Sequence, residues 1–348
     1  MMNFVSKLSS HGDVSALSFS DSSYTYSELS KRISDYLEEL YDVKAGSVVA
    51  LIGDYSFDAI ALFFALAEKK CILAPIVSNN QEEIDKRLLA ASPDLTINLR
   101  EPDKYTFHKP ATEHHELIKS IQDNSHSGLI LFSSGSTGAP KAMIHDLDIL
   151  MGSYLEKRSK KLSIMVFLMF DHIGGLNTLL NSLSMGAKIV IPSKREPEEV
   201  AQLIEKEKVN LLPASPTFLN MMLIADVHHR FNLRTLRMIT YGTEAMPESL
   251  LLRLKKELPR VKLLQTFGTS ETGIAQTSSR SSDSLEIKID DPNQEYKIIN
   301  GELWLKSKTQ ILGYLNHDMS SFSDDGWFKT GDLAVSYTHL TLPTRWLG

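Results

Sequence analysis

The stretch VVALIGDYSFDAIALFFALAEKKCILAPI, Val48 to Ile76, decides the fold. Val48–Ile52 is a continuous apolar run too short for a helix, which reads as a strand. Ser56 stands where a side-chain oxygen caps a following helix. Ala59 to Ala67 is the helix interior, closed by Glu68, Lys69 and Lys70. Ile72–Ile76, "ILAPI", is the next strand. Both strands are apolar throughout rather than alternating, as expected of parallel strands covered on both faces. The unit is therefore strand–helix–strand, and the class is α/β.

Working outward, the alternation continues. "QEEIDKRLLAA" is a helix; "IMVFLMF" (Ile164–Phe170) is a strand, followed by a helix near Leu176–Leu183. "KIVI" and "EPEEVAQLIEKEK" follow, then "VNLLPA", a helix from Ser215, and "LRMIT". "PESLLLRLKKEL" has Pro247 in its first turn, and "KLLQTF" closes the series. Repeated strand–helix units predict doubly wound architecture. After Gly273 the texture changes. Ser278–Pro292 is polar and turn-rich, and "LEIKI", "EYKII" and "ELWLK" alternate with period two, as half-exposed antiparallel strands do. The expected organisation is α/β to about residue 275 and β-rich over 276–335.

Composition excludes several function classes. The net charge is −6 and no Lys/Arg run is dense, so no nucleic-acid partner is expected. A single cysteine, Cys71, rules out an intramolecular disulfide; within "CILAPI" it reads as a buried structural thiol. The N-terminus lacks the apolar core of a signal peptide. Ala59–Ala67 falls well short of the roughly 20 residues of a membrane span. A cytoplasmic location is the expectation. The pairs His114–His115 and His228–His229 show no partner set for zinc and read as surface residues.

One segment carries chemistry. In "LILFSSGSTGAPKAM" (Leu129–Met143) an apolar strand empties into small residues, then Lys141. Ser133, Ser134, Ser136 and Thr137 offer hydroxyls, Gly135 and Gly138 let backbone N–H groups approach an anion, and Lys141 adds charge. A Walker loop needs four residues between its glycines and Lys directly after the second, so that class is excluded; by themselves the residues suit either an anion-binding loop or a plain polar turn.

"SSGSTGAPK" as a whole resembles the phosphate loop of the adenylate-forming superfamily, which includes acyl-CoA synthetases, peptide-synthetase adenylation domains and luciferases. "QTFGTSETG" (Gln265–Gly273), "GELWLKSKTQILGY" (ending at Tyr314) and "GWFKTGDL" (Gly326–Leu333) resemble later motifs of that family, in order. The resemblance covers roughly residues 15–335. It implies the family's N-terminal AMP-binding domain: two doubly wound αβ subdomains plus a smaller β-rich one.

It further implies ATP-dependent activation of a carboxylic acid as an acyl-adenylate, then transfer to CoA or a carrier phosphopantetheine. Catalytic roles fall on Lys141, Ser270 and Glu271. Ser133–Lys141 would wrap the β- and γ-phosphates, and Glu271 would hold Mg²⁺. Ser270 would bond the α-phosphate, and Phe267 would stack on adenine beside Gly268 and Thr269. Gly242, Thr243 and Glu244 would line the adenine pocket, and Asp332 would accept from both ribose hydroxyls. Read without the family, Glu271 is a cap or surface carboxylate and Asp332 a turn residue. Tyr314 and Trp327 read as packing residues of the β-rich unit.

"MFDHIGGLNTLL" (Met169–Leu180) would end at the acyl pocket. Acid-activating relatives have Phe-His here; amino-acid adenylation domains have Phe-Asp, whose Asp pairs a substrate ammonium. Phe170, Asp171 and His172 occur in a row, and the following "IGG" favours His172 with Gly174 at the pocket. The expected substrate is a fatty or other carboxylic acid. The alternatives are an amino-acid or aryl-acid adenylation domain, or a non-catalytic nucleotide-binding homologue. Family members continue past Asp332 into a C-terminal domain bearing a catalytic Lys. Residues 336–348 match neither hinge nor domain and resemble translated adapter or cloning sequence, so a catalytically impaired, truncated chain is expected.

Overall fold

Ser56 accepts a hydrogen bond from the Ala59 N–H at 3.0 Å and caps the helix Phe57–Glu68. The strands Val48–Ile52 and Ile72–Ile76 pair in parallel beside it. The computed structural model describes residues 3–100, 105–108, 114–133, 139–279, 281–336 and 340–341.

Two seven-stranded sheets organise the described residues. One runs Lys262–Gln265, Met238–Tyr241, Leu211–Ala214, Ser163–Met165, Lys188–Ile191, Ser15–Phe19, Ser22–Thr25, parallel except for the last strand. The other runs Gly313–Tyr314, Lys141–Asp146, Gly128–Ser133, Ile72–Ile76, Val48–Ile52, Leu95–Asn98, Tyr105–Phe107. Here the four central strands are parallel, and three antiparallel pairings add Lys141–Asp146 and then Gly313–Tyr314 at one edge and Tyr105–Phe107 at the other. The short connection from Ser133 to Lys141 has no room for the helical crossover that parallel pairing needs, so the chain turns back as a hairpin.

The main core joins Leu51 and Leu73 of one sheet with Ile189 and Ile191 of the other. The helices Phe57–Glu68 and Ile173–Ser184 contribute to the same core. Ala59 through Ala67 are all buried, which explains why that helix is apolar on every face rather than striped. Burying side chains such as Phe63 and Phe64 contributes about 1.5–3 kcal/mol each. Cys71 is buried as expected, and burial pushes its thiol up to about 12.

Beyond residue 275 the sheets are small. Gln294–Ile299, Glu302–Ser307 and Phe328–Leu333 form a three-stranded antiparallel sheet, and Thr277–Ser279 pairs with Glu286–Ile289. The dipeptide Leu340–Thr341 pairs with both Glu286–Ile287 and Val335–Ser336.

Three local expectations are corrected. The strand expected over Ile164–Phe170 spans only Ser163–Met165, because the chain leaves the sheet to place Phe170 in the main core. Pro247 is the residue before the helix Glu248–Glu257 rather than inside its first turn. Tyr314 is not a packing residue of the β-rich unit. Gly313–Tyr314 returns to the large sheet and pairs with Met143 and Ile144.

Candidate active site

Ser133, Gly242 and Thr266 lie at the carboxyl ends of parallel strands, where ligands bind in open α/β sheets. Ser133 ends the strand Gly128–Ser133 and lies opposite Lys141 across the hairpin. Ser134, Gly135, Ser136, Thr137 and Gly138 lie outside the described residues. The exit of that loop is pinned by Asn316. Its side-chain oxygen accepts from the Ala142 N–H at 2.9 Å, and its amide donates to the Pro140 carbonyl at 2.8 Å.

Lys141 and Glu271, far apart in sequence, meet through Tyr314. The Tyr314 hydroxyl donates to the Glu271 carboxylate at 2.9 Å, and the Lys141 Nζ lies 5.9 Å from the Tyr314 ring centre. That distance is at the outer reach of a cation–π contact. Burial, then the neighbouring carboxylate, raises the Tyr314 phenol, so it stays a donor at neutral pH. The Glu271 backbone carbonyl accepts from the Ile311 N–H at 2.8 Å, which ties the segment before Gly313 to the same turn. Beneath lies His145, fully buried, its Nδ1 3.3 Å from the Thr309 carbonyl and its ring close to the Ser270 backbone. Burial pushes its imidazole down to about 4, which keeps it neutral.

Ser270 and Glu271 occupy the turn of a hairpin, Phe267–Thr269 against Gly273–Ala275. Gly268 is required there. A Cβ on it would stand 2.4 Å from the Gly273 carbonyl oxygen and 2.7 Å from the Ile274 Cα. The Thr269 hydroxyl lies 3.0 Å from the Thr272 hydroxyl and accepts from the Thr272 N–H at 3.1 Å, so it shapes the turn. Phe267 packs on the small core of Ala275, Ile289, Leu303 and Leu305.

The Gly242–Glu244 segment abuts this hairpin. Tyr241 pairs with Gln265 in parallel register, and a Cβ on Gly242 would stand 2.8 Å from the Thr266 hydroxyl. Thr243 adopts a left-handed backbone, φ 69°. The Glu244 carboxylate accepts from the Thr217 N–H and hydroxyl, at 3.1 and 2.5 Å. Asp332 lies in the three-stranded sheet, its N–H donating to the Thr330 hydroxyl at 3.0 Å.

The ambiguous Phe170-Asp171-His172 run separates cleanly. Asp171 is buried, and its carboxylate accepts from the Val77 N–H at 2.9 Å and from Arg87 at 2.6 Å. His172 caps the helix Ile173–Ser184, its Nδ1 accepting from the Gly174 N–H at 3.0 Å. Burial lowers the His172 imidazole, so it is neutral at neutral pH. That helix packs on Gly273–Ala275, which brings His172 and Gly174 onto the element adjoining the Glu271 turn.

A separate cavity of about 380 Å³ is lined by Phe19, Asp54, Arg100 and Arg195 among others. It contains none of the residues above.

Tyr314, Asn316 and Arg87 are the site-forming residues that sequence reasoning missed. Tyr314 had a signal, as the last residue of the "ILGY" motif. Asn316 and Arg87 had none, since each acts on a segment distant in the chain. Asn316→Ala strands the Ala142 N–H in a buried position, so it is expected to destabilise the fold by about 1–3 kcal/mol. A lowered urea midpoint at unchanged m checks this.

The profile of the family described as AMP-binding enzyme matches residues 4–315. The chain is 23% identical over 368 residues to 4-coumarate–CoA ligase-like 9 of Arabidopsis thaliana, covering 91% of this chain and 66% of that protein. It is 31% identical over 230 residues to indoleacetate–CoA ligase of Aromatoleum aromaticum, covering 59% of this chain and 44% of that one. The chain thus spans between about two fifths and two thirds of the length of these curated relatives. Among solved structures, the N-terminal subdomain of Klebsiella oxytoca NpsA with 3-hydroxyanthranilyl-AMSN superposes with TM-score 0.80 at 19% identity, covering 98% of each chain. O-succinylbenzoate coenzyme A synthetase of Bacillus subtilis with AMP gives 0.79 at 18% identity, covering 100% of this chain and 99% of that one.

Proposed function

Because this chain belongs to the AMP-binding enzyme family, we propose that it serves an AMP-forming acid–thiol ligase. In this reading ATP activates a carboxylic acid as an acyl-adenylate, which is passed to CoA or a carrier phosphopantetheine. The observation that carries the reading is the junction of Lys141, Tyr314 and Glu271. Both reactants are anions, so the site must neutralise charge and hold them in line. Lys141, opposite Ser133 across the strand pair, supplies fixed positive charge. Glu271 keeps free lone pairs after accepting one bond from Tyr314. That single carboxylate fits Mg²⁺, which is held by one or two carboxylates together with substrate phosphates. When bound, Mg²⁺ would offset phosphate charge.

The remaining roles follow the same reading. A substrate carboxylate oxygen attacks the α-phosphorus, the P–O bond to the β-phosphate breaks, and pyrophosphate leaves. The Ser270 hydroxyl, in the same turn as Glu271, would bond the α-phosphate. Phe267 would stack on adenine against the Gly242–Glu244 backbone, and Asp332 would hold the ribose.

The commitment of Asp171 to Arg87 and Val77 supports an acid without an ammonium group. Neutral His172 beside Gly174 suits an uncharged acyl chain. The relatives include proteins named 4-coumarate–CoA ligase-like, indoleacetate–CoA ligase and 2-succinylbenzoate–CoA ligase, so aryl and fatty acids belong in one panel.

Calorimetric titration of this chain with non-hydrolysable fatty-acyl, aryl-acyl and aminoacyl sulfamoyl-adenosines tests the proposal. A fatty or aryl analogue is expected to bind at least about tenfold more tightly than the aminoacyl one. His172→Ala should weaken that analogue about tenfold and leave AMP unchanged. Preference for the aminoacyl analogue, or no binding of any, overturns the reading.

A further inference from the structure

The pair His228–His229 does not stand alone on the surface, as its sequence context suggests. The His228 side chain is 6% exposed, and its buried Nδ1 finds no hydrogen-bond partner among the described residues. Its Nε2 stands 3.6 Å from an Asp226 carboxylate oxygen and 3.6 Å from a Glu257 carboxylate oxygen. Both distances are too long for a hydrogen bond. The His229 Nδ1 lies 2.6 Å from the same Asp226 oxygen, and its Nε2 lies 3.9 Å from Glu257. Donor atoms of Asp226, His228 and His229 all fall within 4.8 Å of one another.

We infer that Asp226, His228 and His229, with Glu257 as fourth donor, form a binding site for a late first-row divalent cation such as Zn²⁺. The spacing is the first reason. Donors about 2.0–2.1 Å from a tetrahedral zinc ion are about 3.3 Å apart, close to the separations around His228 Nε2. Closing the site requires that the short Asp226–His229 hydrogen bond open, that its proton leave and that the Glu257 carboxylate move inward to join the other three donors. Charge is the second reason. Two carboxylates and two imidazoles balance a dication, while Arg230, whose charge also acts on Asp226, pairs with Glu198 at 2.7 Å. Donor type is the third: imidazole with carboxylate selects zinc, nickel or copper over magnesium. The site is unrelated to Glu271, so it stands or falls independently of the proposed ligase activity.

Its consequence is a clasp. Asp226 carries a left-handed backbone, φ 54°, immediately before the short helix Val227–Arg230, and Glu257 ends the helix Glu248–Glu257. A cation held by both would join two segments about 30 residues apart in the chain.

Isothermal titration of the chelator-treated chain with ZnCl₂ is expected to show one equivalent bound, unchanged by excess Mg²⁺. Co²⁺ as a second probe should give the visible ligand-field bands of a tetrahedral site. His228 is buried and its removal threatens folding, so the variants are His229→Ala and Asp226→Asn, both at exposed positions. Each should lower Zn²⁺ affinity at least about tenfold with an unchanged circular dichroism spectrum. Absence of Zn²⁺ binding, binding lost on adding Mg²⁺, or an affinity in both variants equal to that of the parent overturns the site.

Discussion

Glu271→Gln is expected to lower acid-dependent ATP–pyrophosphate exchange by about 10²–10³-fold, the typical loss when one preorganised stabiliser of developing charge is removed. The substitution keeps an oxygen that can accept from the Tyr314 hydroxyl, now at 2.9 Å from the carboxylate. It removes only the negative charge that would hold a hard cation. The fold should therefore survive with Tm nearly unchanged. A second readout separates charge from packing: in this chain, Mg²⁺ should no longer tighten ATP binding by Glu271→Gln. Tyr314→Phe provides the contrast, since it leaves the charge and removes its tether. An exchange rate equal to that of the parent, with Mg²⁺ still tightening ATP, sinks the assignment of Glu271.

Arg87→Ala is expected to destabilise the fold by about 3–5 kcal/mol, the cost of leaving a buried charge without its partner. The Arg87 and Asp171 side chains are 17% and 6% exposed, and their ion pair measures 2.6 Å. Burial already raises the Asp171 carboxyl above its ordinary value despite Arg87 and the Val77 N–H. Removing Arg87 raises it further. A carboxyl whose folded pKa exceeds its unfolded one contributes stability that is fully present below the unfolded pKa, about 3.8, and is lost as pH rises through the folded value. The deficit of Arg87→Ala relative to the parent is thus largest at neutral pH and shrinks on acidification. Urea denaturation of both proteins at several pH values checks this. A deficit that is small at pH 7, or that grows toward low pH, contradicts the pairing.

These two predictions mark how far the sequence could be read. The βαβ units were legible because apolar runs of strand length alternate with capped helices, and Ser56 performs the capping its position announces. Helices such as Gln81–Ala91 and strands such as Lys188–Ile191 follow their patterns residue for residue. The motif residues were legible as types, since hydroxyls, glycines, a lysine and carboxylates are what phosphate chemistry requires. Asp171 and His172 were ambiguous because adjacent residues share every local signal. Only the packing of the helix Gln81–Ala91, which carries Arg87, assigns the carboxylate to an ion pair. Tyr314 was misplaced for a related reason. Its place in the chain, among segments that form small sheets, does not say that Gly313–Tyr314 joins the large one.

The sequence by itself therefore determined the α/β class, the change of texture near residue 275, and the order of residues suited to adenylate chemistry. Local propensity, capping and apolar period act within a few residues, and these features depend on nothing more. Tertiary structure alone decided the pairing of Gly313–Tyr314 with Met143 and Ile144. It also decided the meeting of Lys141 with Glu271 through Tyr314, the Arg87–Asp171 pair, and the gathering of Asp226 and Glu257 around His228. Each joins groups whose positions along the chain carry no mutual signal, because short-range electrostatics and hydrogen bonding act through space once the apolar core has fixed the strands.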